Sequence, residues 1–154
     1  MTTIDLKERP ELTNDIKFSN SYTQFRELVR LLREKELPDL VSNHINEEMK
    51  ILNELPSGPE LRKALRKKQT KIVQLVEKQL KIVPKNYYRN LWFALGISAF
   101  GLPIGVAIAL SIGNIGLLGI GFPFGIAIGA AVGSAMDKKA LKDGRQLNIE
   151  IKHY

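Results

Sequence analysis

From Leu91 to Met136 the chain runs for 46 residues without a charged side chain. A helix needs ~20 apolar residues to cross a bilayer, so the block has room for two crossings. Ten of the 12 glycines lie inside it, between Gly96 and Gly133. A soluble bundle hiding this block would have to wrap all of it, and the short amphipathic helices before it carry too little apolar surface for that. Charge returns on both sides: 18 Lys and Arg against 13 Asp and Glu in residues 1–90, and 5 against 3 in residues 137–154. The pattern is that of a membrane protein.

The block divides at a turn signal. Tyr87, Tyr88, Arg89 and Trp92 stand just before it as interface anchors, because rings with an apolar body and a polar tip suit the headgroup zone. Residues 91–112 make a first crossing, Gly113-Asn114-Ile115-Gly116 the turn, and residues 117–136 a second crossing that ends before Asp137-Lys138-Lys139. Pro103 and Pro123 are tolerated where neighbours re-satisfy the freed carbonyls. Lys85 and Arg89 on one flank, and Lys138, Lys139, Lys142 and Arg145 on the other, predict both termini on the cytoplasmic side of an inner membrane. The N-terminal stretch has no apolar h-region of a signal peptide, in keeping with a cytoplasmic first half.

The expected fold is all-α: a cytoplasmic helical domain over residues 1–84, a transmembrane hairpin over 85–136 and a cytoplasmic tail over 137–154. In the first part, residues 1–20 read as a short strand or extended arm. Ser21 with Gln24 has capping-box spacing and predicts a helix over 21–36 with Phe25, Leu28, Val29 and Leu32 inward. A second helix opens at Pro38, carries Val41, Ile45, Met49 and Leu52 on one face, and ends before Pro56. Ser57 with Glu60 repeats the capping-box spacing ahead of a third helix running to Val83, with Leu61, Leu65, Ile72, Val76, Leu80 and Val83 as its apolar stripe. In the tail, Gly144 stops a helix. Leu147, Ile149 and Ile151 then alternate with polar residues as a short strand, whose partner is the Ile4–Leu6 segment, a neighbouring subunit or another protein.

Gly121, Gly125, Gly129 and Gly133 stand at steps of four, and Gly101 and Gly105, extended by Ala109, repeat the step in the first crossing. Small residues at that spacing let helix backbones approach closely. The partner face is either the other half of the hairpin or another subunit, and the expectation leans to a homo-oligomer. Steps of this kind resemble the rotor subunit of rotary ATP synthases, but the carboxylate that ion carriage needs is missing from 91–136. No Arg or Lys lies at membrane depth to sense voltage. A pore would have to draw its polar lining from Ser98, Ser111 and Asn114.

The third helix has a basic face of Arg62, Lys63, Arg66, Lys67, Lys68, Lys71, Lys78 and Lys81. It is either a solvated surface or a contact for anionic lipid headgroups or other anions, with Arg62, Lys63, Arg66, Lys67, Lys71 and Lys78 as the contact residues. Nucleic acid is not an expected partner, because no recognition fold or stacking motif accompanies the charge. There is no cysteine, and His44 and His153 have no second histidine at ligand spacing. No nucleophile elbow, phosphate loop or metal spacing is present, so neither an enzyme nor a cofactor or metal is expected.

From Pro84-Lys85-Asn86-Tyr87-Tyr88-Arg89-Asn90 through the glycine block to Asp137-Lys138-Lys139 and Gly144-Arg145-Gln146-Leu147, the chain resembles small uncharacterised bacterial glycine-zipper membrane proteins. The resemblance implies a membrane location and brings no activity. More loosely, the stepped hairpin is similar to pore-forming and channel proteins packed through small residues. The resulting expectation is a homo-oligomeric membrane protein that forms a pore or channel. The alternative is a membrane-anchored scaffold that binds anionic lipid or a partner protein.

Overall fold

A computed structural model describes residues 4–11 and 15–152. The chain forms two units, Met1–Pro84 with Leu147–Tyr154, and Lys85–Gln146. The tail expected to stand apart is therefore shared: residues 137–146 belong with the hairpin and those from Leu147 onward with the helical unit. His153 lies outside the described residues.

Three helices build the first unit: α1 (Ile16–Arg33), α2 (Asp39–Glu54) and α3 (Pro59–Leu80). Phe25, Leu28, Leu32, Ile45, Met49, Leu52, Leu61, Leu65 and Ile72 are fully buried between them. Each such side chain contributes about 1.5–3 kcal/mol relative to leaving it in water. The apolar stripes read from the sequence are thus the core, but the helix ends are placed differently. α1 starts five residues before Ser21, because Asp15 caps it: its carboxylate accepts from the Phe18 backbone N–H at 3.0 Å. Starting there also brings Phe18 edge-to-face onto Tyr22, one turn on, with ring centroids 6.5 Å apart. Ser21 is buried inside the helix, and its hydroxyl donates back to the Lys17 carbonyl at 3.0 Å. Gln24 holds the C-terminal segment instead, accepting from the Lys152 backbone N–H at 2.8 Å.

The second expected capping box is absent as well. Gly58 precedes α3 without a side-chain cap, and the Ser57 hydroxyl donates to Glu11 at 2.6 Å. At the other end α3 stops at Leu80, not Val83, because Lys81 takes a left-handed conformation (φ 57°). Val83 then belongs to β1 (Val83–Lys85), which pairs with β2 (Gln146–Glu150) in a two-stranded sheet. The terminal strand's partner is therefore none of the three expected. Val83 and Leu147 are both buried.

The segment Ile4–Leu6 is instead part of an extended arm held by side chains. The Ile4 and Lys7 backbone N–H groups donate to Asn46 and Asn53 at 3.2 and 2.9 Å. Asn53 also donates to the Asp5 carbonyl at 2.7 Å. The Tyr22 hydroxyl donates to the Lys7 carbonyl at 2.7 Å, and burial raises its pKa, keeping the proton it donates. Leu6 fills the space beneath.

The second unit is a helical hairpin. Its first arm joins α4 (Tyr87–Gly96), a π-helical turn (Ile97–Gly101) and α5 (Leu102–Ile112). Gly113, at φ 70°, closes that arm. A 3-10 segment (Ile115–Ile120), capped by Asn114, leads into α6 (Gly121–Lys142). The two arms, Tyr87–Ile112 and Ile115–Lys142, are long and apolar enough to cross a membrane. The second runs past the expected end at Met136, carrying Asp137, Lys138 and Lys139 within it.

Removing the Asp15 cap tests the observed start of α1. Asp15→Ala should cost ~1 kcal/mol locally, so the amide of Phe18 should exchange about fivefold faster while those of the turn beginning at Ser21 change little. Fast exchange from Ser21 alone would restore the later start.

Candidate functional site: the glycine seam and its acidic cap

Gly121, Gly125, Gly129 and Gly133 are all buried along one side of α6. What covers them is the backbone of the other arm. A Cβ on Gly125 would lie 2.5 Å from the Gly96 carbonyl oxygen and 2.8 Å from the Gly101 Cα. On Gly133 it would lie 2.5 Å from the Arg89 Cα, and on Gly121 and Gly129 it would collide with the carbonyl oxygens of Gly101 and Trp92. Gly96 and Gly105 meet the carbonyls of Gly125 and Leu118 in the same way. The hydrogen standing in place of each Cβ points at a carbonyl oxygen, so weak C–H···O contacts add to dispersion, each worth roughly 0.5–1 kcal/mol. The stripe packs against the other arm of the same hairpin. Gly101 is the loosest position, where a Cβ would meet its neighbours at an ordinary 3.4 Å. Ala109 continues the buried face toward the turn.

Gly96 was not singled out in the sequence because it lies five residues before Gly101. On a regular helix that step turns about 140° off the stripe. The π turn over Ile97–Gly101 absorbs the extra residue, so Gly96 and Gly101 both face α6. The Leu102 N–H reaches the Ile97 carbonyl, five residues back. Pro103 follows at once, and the widened turn spares its ring the clash with the carbonyl four residues before it. A glycine step of five just ahead of a proline was the available signal.

Asp137 closes the polar end of the seam. It is buried on α6 at 7% exposure, and its two carboxylate oxygens accept from the backbone N–H groups of Tyr88 and Arg89 at 3.1 and 2.9 Å. These are first-turn donors of α4, which has no side-chain cap of its own. An anion at that end of the helix is also favoured by its dipole. Sequence spacing gives no hint of a cap that arrives from 48 residues away. Beside it, Tyr88 is buried and packs edge-to-face on Tyr87, centroids 5.2 Å apart. Of the expected interface anchors, Tyr88 is therefore an interior residue, Tyr87 and Trp92 are half-buried and Arg89 is exposed. Arg145 donates to Asp143 at 2.7 Å, and that hydrogen bond is the main cause holding the Asp143 carboxyl below its ordinary pKa.

Outside the seam the hairpin is apolar and open: Leu110, Ile112, Ile115 and Phe124 are 76, 64, 80 and 54% exposed. The polar groups expected to line a pore are spent locally. The Ser98 hydroxyl donates to the Leu95 carbonyl at 3.1 Å and that of Ser111 to Ala107 at 2.8 Å, while Asn114 accepts from the Gly116 N–H at 3.0 Å.

In the helical unit the basic face of α3 is thinner than its sequence. Arg62 lies 3.5 Å from Asp15, Lys81 3.4 Å from Glu77, and Lys68 pairs with Glu48, a buried carboxylate on α2 that is also 3.6 Å from His44. Lys63, Arg66, Lys67, Lys71 and Lys78 stay exposed, with no ion pair among the described residues. No group of three potential metal ligands gathers among the described residues. No protein-family model, no curated protein and no solved structure matches the chain.

Alanine substitutions separate the seam from its surroundings. Gly125→Ala and Gly129→Ala should each destabilise the hairpin by roughly 1–3 kcal/mol, because backbone must move. Gly101→Ala, at ordinary contact, and Gly119→Ala, with open space around it, should be neutral or slightly stabilising through helix propensity. Thermal unfolding in detergent micelles reads the difference; equal losses at all four positions would contradict the seam.

Proposed function

We propose that this chain is an integral membrane protein whose hairpin is an anchor, and that its work is done by the helical unit as a scaffold or interaction surface. The supporting observation is the use of the seam. The glycine backbone faces are closed against each other within one chain, the polar side chains of Ser98, Ser111 and Asn114 serve nearby backbone, and the outward surface is largely apolar. A bilayer core demands that backbone groups be paired within the protein, which helices of this kind provide. The apolar stretches of the two arms are only 22% and 17% buried within the chain, unlike core helices of a soluble domain.

An anchor of this form places both ends of the hairpin on one side of the bilayer. The basic flanks, Lys85 and Arg89 before it and Lys139, Lys142 and Arg145 after, favour the cytoplasmic face of the inner membrane. Two helices locked backbone to backbone make a more rigid anchor than a single crossing. The scaffold works as a homo-oligomer or on an anionic lipid surface, and the unpaired cations of α3 serve either partner.

Carbonate extraction and planar-bilayer recording test the two halves of this proposal. The protein should stay with the membrane fraction at high pH, and purified protein should give no current at any applied voltage or tension. Release into the soluble fraction would overturn the anchor. Reproducible unitary currents, abolished by Gly129→Leu but not by Ile128→Leu, would overturn the scaffold in favour of a pore.

A further inference from the structure

Two exposed stripes in the helical unit carry opposite charge at the same spacing. On α2, Asp39, Asn43, Glu47, Lys50 and Glu54 follow steps of four, four, three and four, which keeps them on one helix face. On α3, Lys63, Lys67, Lys71, Gln74 and Lys78 follow the same steps. All ten are exposed residues away from the core positions of their helices. The charged groups of both stripes make no ion pair among the described residues. Each stripe is about 22 Å long at 1.5 Å per residue. Asp39, Glu47 and Glu54 are separated by eight and then seven residues, and so are Lys63, Lys71 and Lys78. The three charges register in either direction, to within one residue's rise, well inside the reach of a lysine side chain.

We infer that the lysine stripe of α3 docks on the acidic stripe of α2 in a second copy of this chain. Within one chain the stripes cannot meet, since α2 and α3 pack their opposite faces together in the core. Leu40 and Ile51, exposed at 68 and 43%, border the acidic stripe, and the aliphatic stems of docked lysines would cover them. An anionic membrane also suits the lysines, but it leaves the three acids and the two exposed apolar residues of α2 without a role. The contact is head to tail, because each copy offers one stripe of each sign, so it builds rings or open arrays. Exposed ion pairs are weak singly, and here confinement of copies to one membrane supplies the effective concentration that makes several of them sufficient. The inference rests on the anchored scaffold proposed above and names its partner.

The test uses full-length protein in vesicles of neutral phosphatidylcholine, with association read by energy transfer between labelled copies. Charge reversal as Lys63→Glu, Lys71→Glu, Lys78→Glu makes both stripes acidic; Asp39→Lys, Glu47→Lys, Glu54→Lys makes both basic. Each variant alone should associate about tenfold less than the native chain, and an equimolar mixture of the two should recover it, with association falling as salt rises. A milder set, Lys63→Gln, Lys71→Gln, Lys78→Gln, keeps the test valid if reversal impairs folding, and it should weaken association without being rescued. No recovery in the mixture would overturn the inference. So would a lysine-set effect that appears only in anionic vesicles while the acidic set is without effect, which assigns the stripe to lipid. Carbonate extraction of each variant reports the anchor separately, so loss of association with extraction unchanged bears on the stripes alone.

Discussion

Contact between main chains along the glycine seam sets the geometry of the whole hairpin. Six glycines give up side chains so that α4 to α5 and α6 can touch backbone to backbone, and each costs about 1 kcal/mol of helix propensity relative to alanine in water. That cost is offset only if the two arms stay in one register along their length. Three features enforce it. The π turn before Pro103 carries Gly96 back onto the seam, Gly113 reverses the chain at one end, and Asp137 ties the first turn of α4 to α6 at the other. Loss of any one would shift glycines away from the carbonyls they face.

The helical unit follows a different rule. Its core is one of Leu, Ile, Val, Met and Phe, at whose edge the buried Glu48 carboxylate pairs with the half-buried Lys68. Breaking such a pair by removing one partner is far costlier than its net contribution, because a buried charge is left alone. What distinguishes the unit is its surface, where cations are gathered on α3 and carboxylates on α2. Charge segregated in this way fixes which surfaces can approach one another more than it stabilises the fold. The two units therefore differ in kind: close packing without charge along the hairpin, exposed charge around a small core in the helical unit.

How much of this was legible beforehand depends on the range of the interaction. Apolar periodicity placed the three head helices and the residues of their core, and the absence of charge over 46 residues placed the hairpin and its turn. Short-range capping signals misled, since Ser21 and Ser57 had the right spacing while Asp15 held the better competing position next to an aromatic pair. The glycine face was visible, but its partner was not, because a stripe of small residues reads the same whether a second arm or a second subunit covers it. Gly96 was hidden by the π turn, and Asp137 by the 48 residues that separate it from the amide of Arg89. The β1 partner of the terminal strand was masked by helical periodicity carried through to Val83.

Closure of the seam within a single chain is measured most directly by solid-state NMR of the protein in bilayers with 13C at the glycine Cα positions. Correlations between Gly96 and Gly129, between Gly101 and Gly125 and between Gly105 and Gly121 should keep their intensity per labelled molecule when the sample is diluted with a large excess of unlabelled protein. Correlations that fade in proportion to the dilution would show that the glycine faces pair between copies, and the closed hairpin would be wrong.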